Sequence, residues 1–168
     1  LPIAVEIDRQ TMRRTYTLSC APRKGALRLS IKSLSGGLVS GHLANQSQIG
    51  DTITALSPAG DFFLQSKPGQ ASVFISAGIG ITPMMAMAES LLAVSDDSPM
   101  YFLHGSRTLA GTAFLPELRR WQQQHARFSL AVALDAEESE KVSSVPGTEV
   151  GRIDAAWLKA RNLPLDAA

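Results

Sequence analysis

A single cysteine, Cys20, is all the thiol chemistry available in 168 residues. One thiol cannot form an internal disulfide, and alone it cannot hold an iron–sulfur cluster or a structural zinc. A reducing, cytoplasmic setting is the expectation. Charge is equally scarce: charged residues make up 18% of the chain and the formal net charge is +1. No electrostatic footprint for nucleic acid or an anionic membrane results. Long apolar runs are missing too. None approaches the roughly 18 residues of a spanning helix, and the opening LPIAVEIDRQ lacks a basic stretch followed by an apolar one, so no membrane insertion is expected. His42 and His125 have no Cys, Asp or Glu at metal-ligand spacing, and no Ser-His-Asp arrangement has supporting context. Metal and hydrolase chemistry lose support, and small-molecule chemistry of another kind gains it.

What is present changes character once. Up to about Gly69 the chain reads as short strands, LPIAVEI, MRRTYTLS, ALRLSIK and DTITAL, punctuated by PRKG, SLSGG and SPAGD. That pattern predicts an antiparallel barrel or sandwich. Val39 to Gln46, opened by Gly36 and Gly37, suits a short helix. After SKPGQ the order becomes strand, loop, helix, repeated: SVFISA, then Pro83 to Val94, MYFLHGS, FLPELRRWQQQH and FSLAVAL. Alternation of this kind predicts a parallel sheet covered by helices. The boundary is placed near Lys67–Gln70, giving units 1–69 and 70–168. Asp135 to Thr148 is polar and reads as a loop. Trp121 and Trp157 fall in helical patterns and read as core, and Cys20 reads as a small buried hydrophobe.

Three stretches carry chemistry. ISAGIGITPMMAM, Ile75 to Met87, places Gly78 and Gly80 after a predicted strand and before a predicted helix. The dinucleotide fingerprint then wants a third glycine where Pro83 stands. Proline at the first helical position forfeits only an N–H that is unpaired anyway. The stretch fits a phosphate-cradling loop, and equally a strand-to-helix turn with no ligand. In RRTYTLS, Arg13 to Ser19, strand alternation puts Arg14, Tyr16 and Leu18 on one side. A cation beside a ring suits a phosphorylated planar ligand; the same pattern fits a surface arginine beside a half-buried tyrosine. In GGLVSGHL, Gly36 to Leu43, glycines precede a helix with Ser40 in its first turn, which fits either an anion site or a plain helix cap.

Taken in order, these stretches resemble the ferredoxin–NADP⁺ reductase superfamily, and most closely the reductase module of flavohaemoglobins and multicomponent oxygenase reductases. The resemblance covers nearly the whole chain. It implies an antiparallel FAD-binding β-barrel domain followed by a Rossmann-like α/β domain for NADH or NADPH. It implies that Arg14 contacts the FAD pyrophosphate, that Tyr16 lines the isoalloxazine, and that the Thr17 hydroxyl sits near the flavin N5 that receives hydride. Thr17 is thus the implied catalytic residue, in a positioning role. Gly37, Leu38, Val39 and Ser40 would hold the pyrophosphate, with Ile31 and Lys32 nearby, and Ser57 to Leu64 looks like the FAD-type stretch leading out of the barrel. Gly78, Ile79, Gly80, Thr82 and Pro83 would form the nicotinamide-nucleotide loop, while His104, Gly105, Ser106 and Arg107 would meet the adenosine half. For His104 a structural role is the competing reading.

By the same resemblance, electrons pass from NAD(P)H through FAD to an iron–sulfur or haem acceptor. A ferric-siderophore or free-flavin reductase, or a non-catalytic FAD-binding interaction subunit, are the alternatives. Relatives begin with further barrel strands and continue into a strand with a C-G-P turn, so the chain is expected to be a fragment with an open barrel edge or with another chain covering that edge. NADH is expected to be modestly preferred. Arg107 could receive a 2′-phosphate, but Asp135 and Ala136 stand where NADPH-specific relatives carry a Ser-Arg pair, followed by Glu137 and Glu138.

Overall fold

The computed structural model describes residues 1–65, 67, 69–135 and 145–164. Alternation in LPIAVEI puts Leu1, Ile3 and Val5 in the interior, and the segment pairs as strand β1, Pro2–Ile7. Asp8 and Arg9 both take positive φ, which closes a two-residue hairpin into β2, Gln10–Thr15. On its other side β1 pairs antiparallel with β3, Thr54–Ala55. The sheet order β2-β1-β3 is open among the described residues, so the expected barrel is here a three-stranded sheet. Helix α1, Leu38–Asn45, packs against β1 and β2 through the buried Val39 and Ser40.

Three expected strands fall short: MRRTYTLS pairs only as far as Thr15, the end of β2. DTITAL contributes only Thr54 and Ala55. ALRLSIK forms no strand; Leu18 and Leu29 make a single antiparallel bridge, as do Arg23 and Ala26. The reason is local. The Arg28 guanidinium donates to the Ser19 carbonyl, and the hydroxyls of Ser19 and Ser30 bond each other at 2.7 Å. Side chains thus take over groups that a ladder would have used.

The second half matches its expected alternation. Strands β4 (Ser72–Ala77), β5 (Met100–Ser106) and β6 (Phe128–Leu134) pair in parallel in that order. Helix α2, Ile81–Leu92, connects β4 to β5, and α3, Leu115–Gln124, connects β5 to β6. Successive right-handed crossovers in one direction place both helices on one face. There they bury a single core: Phe74, Phe102, Val132 and Leu134 from the strands, Ile81 and Met85 from α2, Leu118 and Trp121 from α3. The rings of Phe74, Phe102 and Phe128 follow one another at 6.0 Å, and Trp121 meets Phe128 edge-on at 5.9 Å. Cys20 is buried as expected.

Three details differ from expectation. Helix α2 begins two residues before Pro83, which therefore sits third in the first turn; its missing N–H is still one that a helix leaves unpaired. A fourth parallel strand, β7, Thr148–Val150, adds to β6, and a short helix α4, Ala155–Lys159, follows it. Finally, Trp157 lies on α4 outside the main core, with the Arg161 guanidinium stacked 3.0 Å from its ring centroid. Most of the expected loop 135–148, with Ala136, Glu137 and Glu138, lies outside the described residues.

Candidate nucleotide and flavin sites

The carboxyl ends of β4, β5 and β6 point at one cleft of about 880 Å³. In open α/β sheets this is where ligands bind. Its floor is Ala77, Gly78 and Ile79; its side is Gly105, Ser106, Arg107, Ala133 and Asp135; Arg152 and Ile153 enter after β7. The opposite wall comes from the first half of the chain, as Ser30, Ile31 and Lys32. Seven of the expected cofactor residues therefore share one cleft: Ile31, Lys32, Gly78, Ile79, Gly105, Ser106 and Arg107. Three cations, Lys32, Arg107 and Arg152, and one carboxylate, Asp135, line the cleft, a balance that suits a diphosphate.

Local rules build the floor. Gly78 to Gly80 form one 3₁₀ turn between β4 and α2, and the Thr82 hydroxyl donates to the Ile79 carbonyl at 3.2 Å to hold it. Gly78 has φ +52, and a Cβ there would meet nothing within 4 Å; the space belongs to the cleft. Gly80, Thr82 and Pro83 are not in the lining. Thr82 is buried beneath the turn, and Gly80 caps α2. The Arg107 loop is held by the Ser106 and Thr112 hydroxyls, which donate to the Thr108 carbonyl at 3.1 and 2.9 Å.

His104 departs from its implied contact with adenosine. Alternation along β5 puts it on the helix-covered face with Phe102, only 1% exposed, and its Nδ1 lies 2.9 Å from the Ser76 hydroxyl on β4. Burial pushes its pKa down to about 4. The folded state therefore keeps the ring neutral while the unfolded chain takes up a proton below about pH 6.5. Stability is full above that value and is lost as pH falls towards 4, by about 3 kcal/mol in total. Urea unfolding at pH 7 and pH 4.5 should show this loss, and His104→Asn should flatten it; an equal slope in the variant would remove His104 as the cause.

The other residues expected to meet flavin lie on and beside the first sheet. Arg14 pairs with Ile3 across the ladder, and the Tyr16 and Leu1 backbones bond each other at 3.1 and 2.8 Å, so cation and ring share a face. Arg14 is exposed, its guanidinium donating, among the described residues, to the adjacent Arg13 carbonyl at 2.7 Å; Tyr16 is half-buried and Thr17 exposed. The N-cap of α1 is Gly37, which has no side chain to cap with, so among the described residues the first-turn N–H groups lack a capping acceptor beside an exposed Leu38. Ser40 is turned inward. Its hydroxyl accepts from the Leu34 N–H at 3.2 Å and donates to the Gly37 carbonyl at 3.4 Å, which closes the turn instead of facing a ligand. A Cβ on Gly37 would stand 2.4 Å from that hydroxyl and 3.1 Å from the Leu34 Cβ and carbonyl oxygen, so a side chain there would force the turn to shift. The exposed cation, the ring and the uncapped helix start suit a flavin nucleotide.

Arg152 and Phe114 are cleft residues that no local motif announced. Arg152 reaches Asp135 with its Nε 3.4 Å from a carboxylate oxygen, across sixteen intervening residues. Among the described residues no His, Cys, Asp and Glu gather in a metal-holding group, and no helix is long and apolar enough to cross a membrane.

Comparison with known proteins matches the chain in two stretches. Residues 1–64 match the oxidoreductase FAD-binding domain family, and residues 74–165, more than half of the chain, match the oxidoreductase NAD-binding domain family. A flavohemoprotein of Deinococcus radiodurans is 38% identical over 122 residues, 73% of this chain and 30% of the relative. The flavohem-like FAD/NAD binding domain of nitric oxide dioxygenase from Vibrio cholerae superposes with a TM-score of 0.79 at 26% identity, covering 92% of this chain and 65% of that one. A ferredoxin NADP⁺ reductase from Neisseria gonorrhoeae with bound FAD and NADP shares the fold, at 19% identity and a TM-score of 0.69 over 95% of this chain and 62% of that one. The chain spans 30 to 41% of the length of the curated relatives it matches. An open antiparallel flavin-side sheet, a parallel nucleotide-side sheet and family matches to both halves place this chain in the ferredoxin–NADP⁺ reductase superfamily, as an oxidoreductase module with FAD-binding and NAD-binding domains.

Proposed function

We propose that the module transfers hydride from NAD(P)H to FAD, the two meeting where units 1–69 and 70–168 face each other. The observation that carries this is the shared cleft, in which Ile31 and Lys32 of the flavin side face the Gly78 loop and the Arg107 turn of the nucleotide side. FAD, when bound, supplies the two-electron to one-electron conversion. The protein's share is to bind and to orient. Arg14 forks onto a phosphate, Tyr16 packs against the flat ring, and the Thr17 hydroxyl holds the edge of that ring by a hydrogen bond. Leu38 and Val39 at the start of α1, beside Gly37, present N–H groups to the pyrophosphate, and Ser40 shapes that turn from behind. Gly80, Thr82 and Pro83 support the nucleotide turn from below, and His104 supports β5.

The onward acceptor is an iron–sulfur or haem group in a cytoplasmic protein or domain. Flavin-loaded complete protein mixed with NADH or NADPH in a stopped-flow spectrometer should bleach. Absence of bleaching would support a non-catalytic FAD-binding subunit, and selective reduction of a ferric siderophore or free flavin would redirect the acceptor assignment.

NADH is the preferred donor by a modest factor. Asp135 lies in the cleft and opposes a 2′-phosphate, but its ion pair with Arg152 offsets part of that repulsion. Asp135→Ala should accordingly move the kcat/KM ratio towards NADPH about tenfold, the size of a single close charge contact with a phosphate. An unchanged ratio would mean that the 2′-position lies away from this carboxylate.

A further inference from the structure

We propose that Arg28 is a positioning residue that latches the flavin side of the molecule to α3 and thereby sets the width of the nucleotide cleft. This goes beyond the hydride-transfer reading and takes its catalytic consequence from it. Residues 19–30 form an arch that is closed on itself. The Ser19 N–H donates to the Arg28 carbonyl at 2.9 Å, Arg28 Nε returns to the Ser19 carbonyl at 3.0 Å, and Ser19 and Ser30 join their hydroxyls. Such an arch moves as a unit, and the cleft wall at Ser30, Ile31 and Lys32 moves with it.

Among the described residues the arch meets the nucleotide half at two points. At the first, Glu89 on α2 accepts from the Ala21 N–H at 2.6 Å and pairs with Arg23. Arg23 is 57% exposed, and exposed pairs of this kind contribute little. At the second, Arg28 Nη1 lies 3.3 Å from both carboxylate oxygens of Glu117 in the first turn of α3. The same guanidinium lies 5.4 Å from the Phe114 ring centroid. Phe114 caps α3 with φ 59 and itself lines the cleft. Arg28 therefore holds its own arch, a helix of the other half and a residue of the cleft wall together. A non-glycine residue kept in the left-handed region is a costly placement that surrounding contacts must maintain. Hydride transfer demands reacting atoms at about 3–3.5 Å, and a misplacement of about 1 Å can cost a hundredfold. Cleft width is the variable that Arg28 controls.

The test uses full-length, flavin-loaded protein with spin labels at Gln10→Cys on β2 and Gln122→Cys on α3, both exposed; the native Cys20 is buried. The distance distribution between labels should be narrow in the parent and broad in Arg28→Gln and in Glu117→Gln. The double variant should be no broader than either single one, as coupled partners require. Arg28→Lys, which keeps the charge but not the fork, should fall between. The limiting rate of NADH-driven bleaching should drop about tenfold in Arg28→Gln, with the NAD⁺ dissociation constant within about twofold. Unchanged distances, or broad distances with an unchanged bleaching rate, would overturn the proposal. A parent that does not bleach at all would instead overturn the hydride-transfer reading, and the labels would still decide whether the latch exists.

Discussion

Arg14→Glu is expected to release FAD, with an affinity loss of about a hundredfold or more, enough to empty the protein on gel filtration. Among the described residues the Arg14 guanidinium has one partner, the carbonyl of its own neighbour Arg13, and it otherwise stands exposed on β2. A phosphate would replace that neutral acceptor with a charged one and accept two parallel N–H bonds. Glutamate removes both bonds and sets like charge against the phosphate. The fold should change little, because Arg14 is exposed and its strand pairing with Ile3 runs through the backbone. Far-UV circular dichroism should be unaltered while the flavin absorbance disappears. Arg14→Lys keeps the charge and loses the fork, so it should retain FAD weakly. Full flavin occupancy in the glutamate variant would remove Arg14 from the site.

Gly78→Val should leave FAD in place and weaken NAD⁺ binding about a hundredfold. Two effects meet at this position. The φ of +52 is one that a side chain adopts at a cost of about 1–2 kcal/mol, so thermal stability should fall slightly. The larger effect is steric and falls on the ligand. A Cβ at Gly78 meets no protein atom within 4 Å, so the new side chain stands in the cleft where the nucleotide backbone would lie. Gly37 is the opposite case. There a Cβ would strike the Ser40 hydroxyl and the Leu34 backbone inside the protein, so the damage would appear in the fold of the 34–40 turn. Calorimetric titration with NAD⁺ separates the two: an unchanged dissociation constant in Gly78→Val would mean that the nucleotide passes elsewhere.

Much of the second half was legible because its signals are local. Alternating apolar residues in SVFISA, MYFLHGS and FSLAVAL produced β4, β5 and β6, and helical periodicity between them produced α2 and α3. The glycines at 78 and 80 marked the strand-to-helix turn for a reason that lies in the backbone itself. Less was legible in the first half. ALRLSIK has the composition of a strand, yet Ser19, Arg28 and Ser30 bind one another and leave only isolated bridges. The three-residue strand β7 is too short for periodicity to announce.

The sequence by itself determined the two kinds of sheet, the order of the binding motifs and the family, since each depends on residues within one turn or one strand of each other. Only the tertiary structure decided which of those residues meet. Strand parity and the side taken by α2 and α3 turned His104 inward and left Gly105, Ser106 and Arg107 at the cleft. The addition of β7 to β6 brought Arg152 onto Asp135. Docking of the arch on α3 joined Arg28 to Glu117, 89 residues away. Contacts at such separations depend on how packed elements face each other, and the energy that selects among them is burial summed over the whole core rather than a preference of any short stretch.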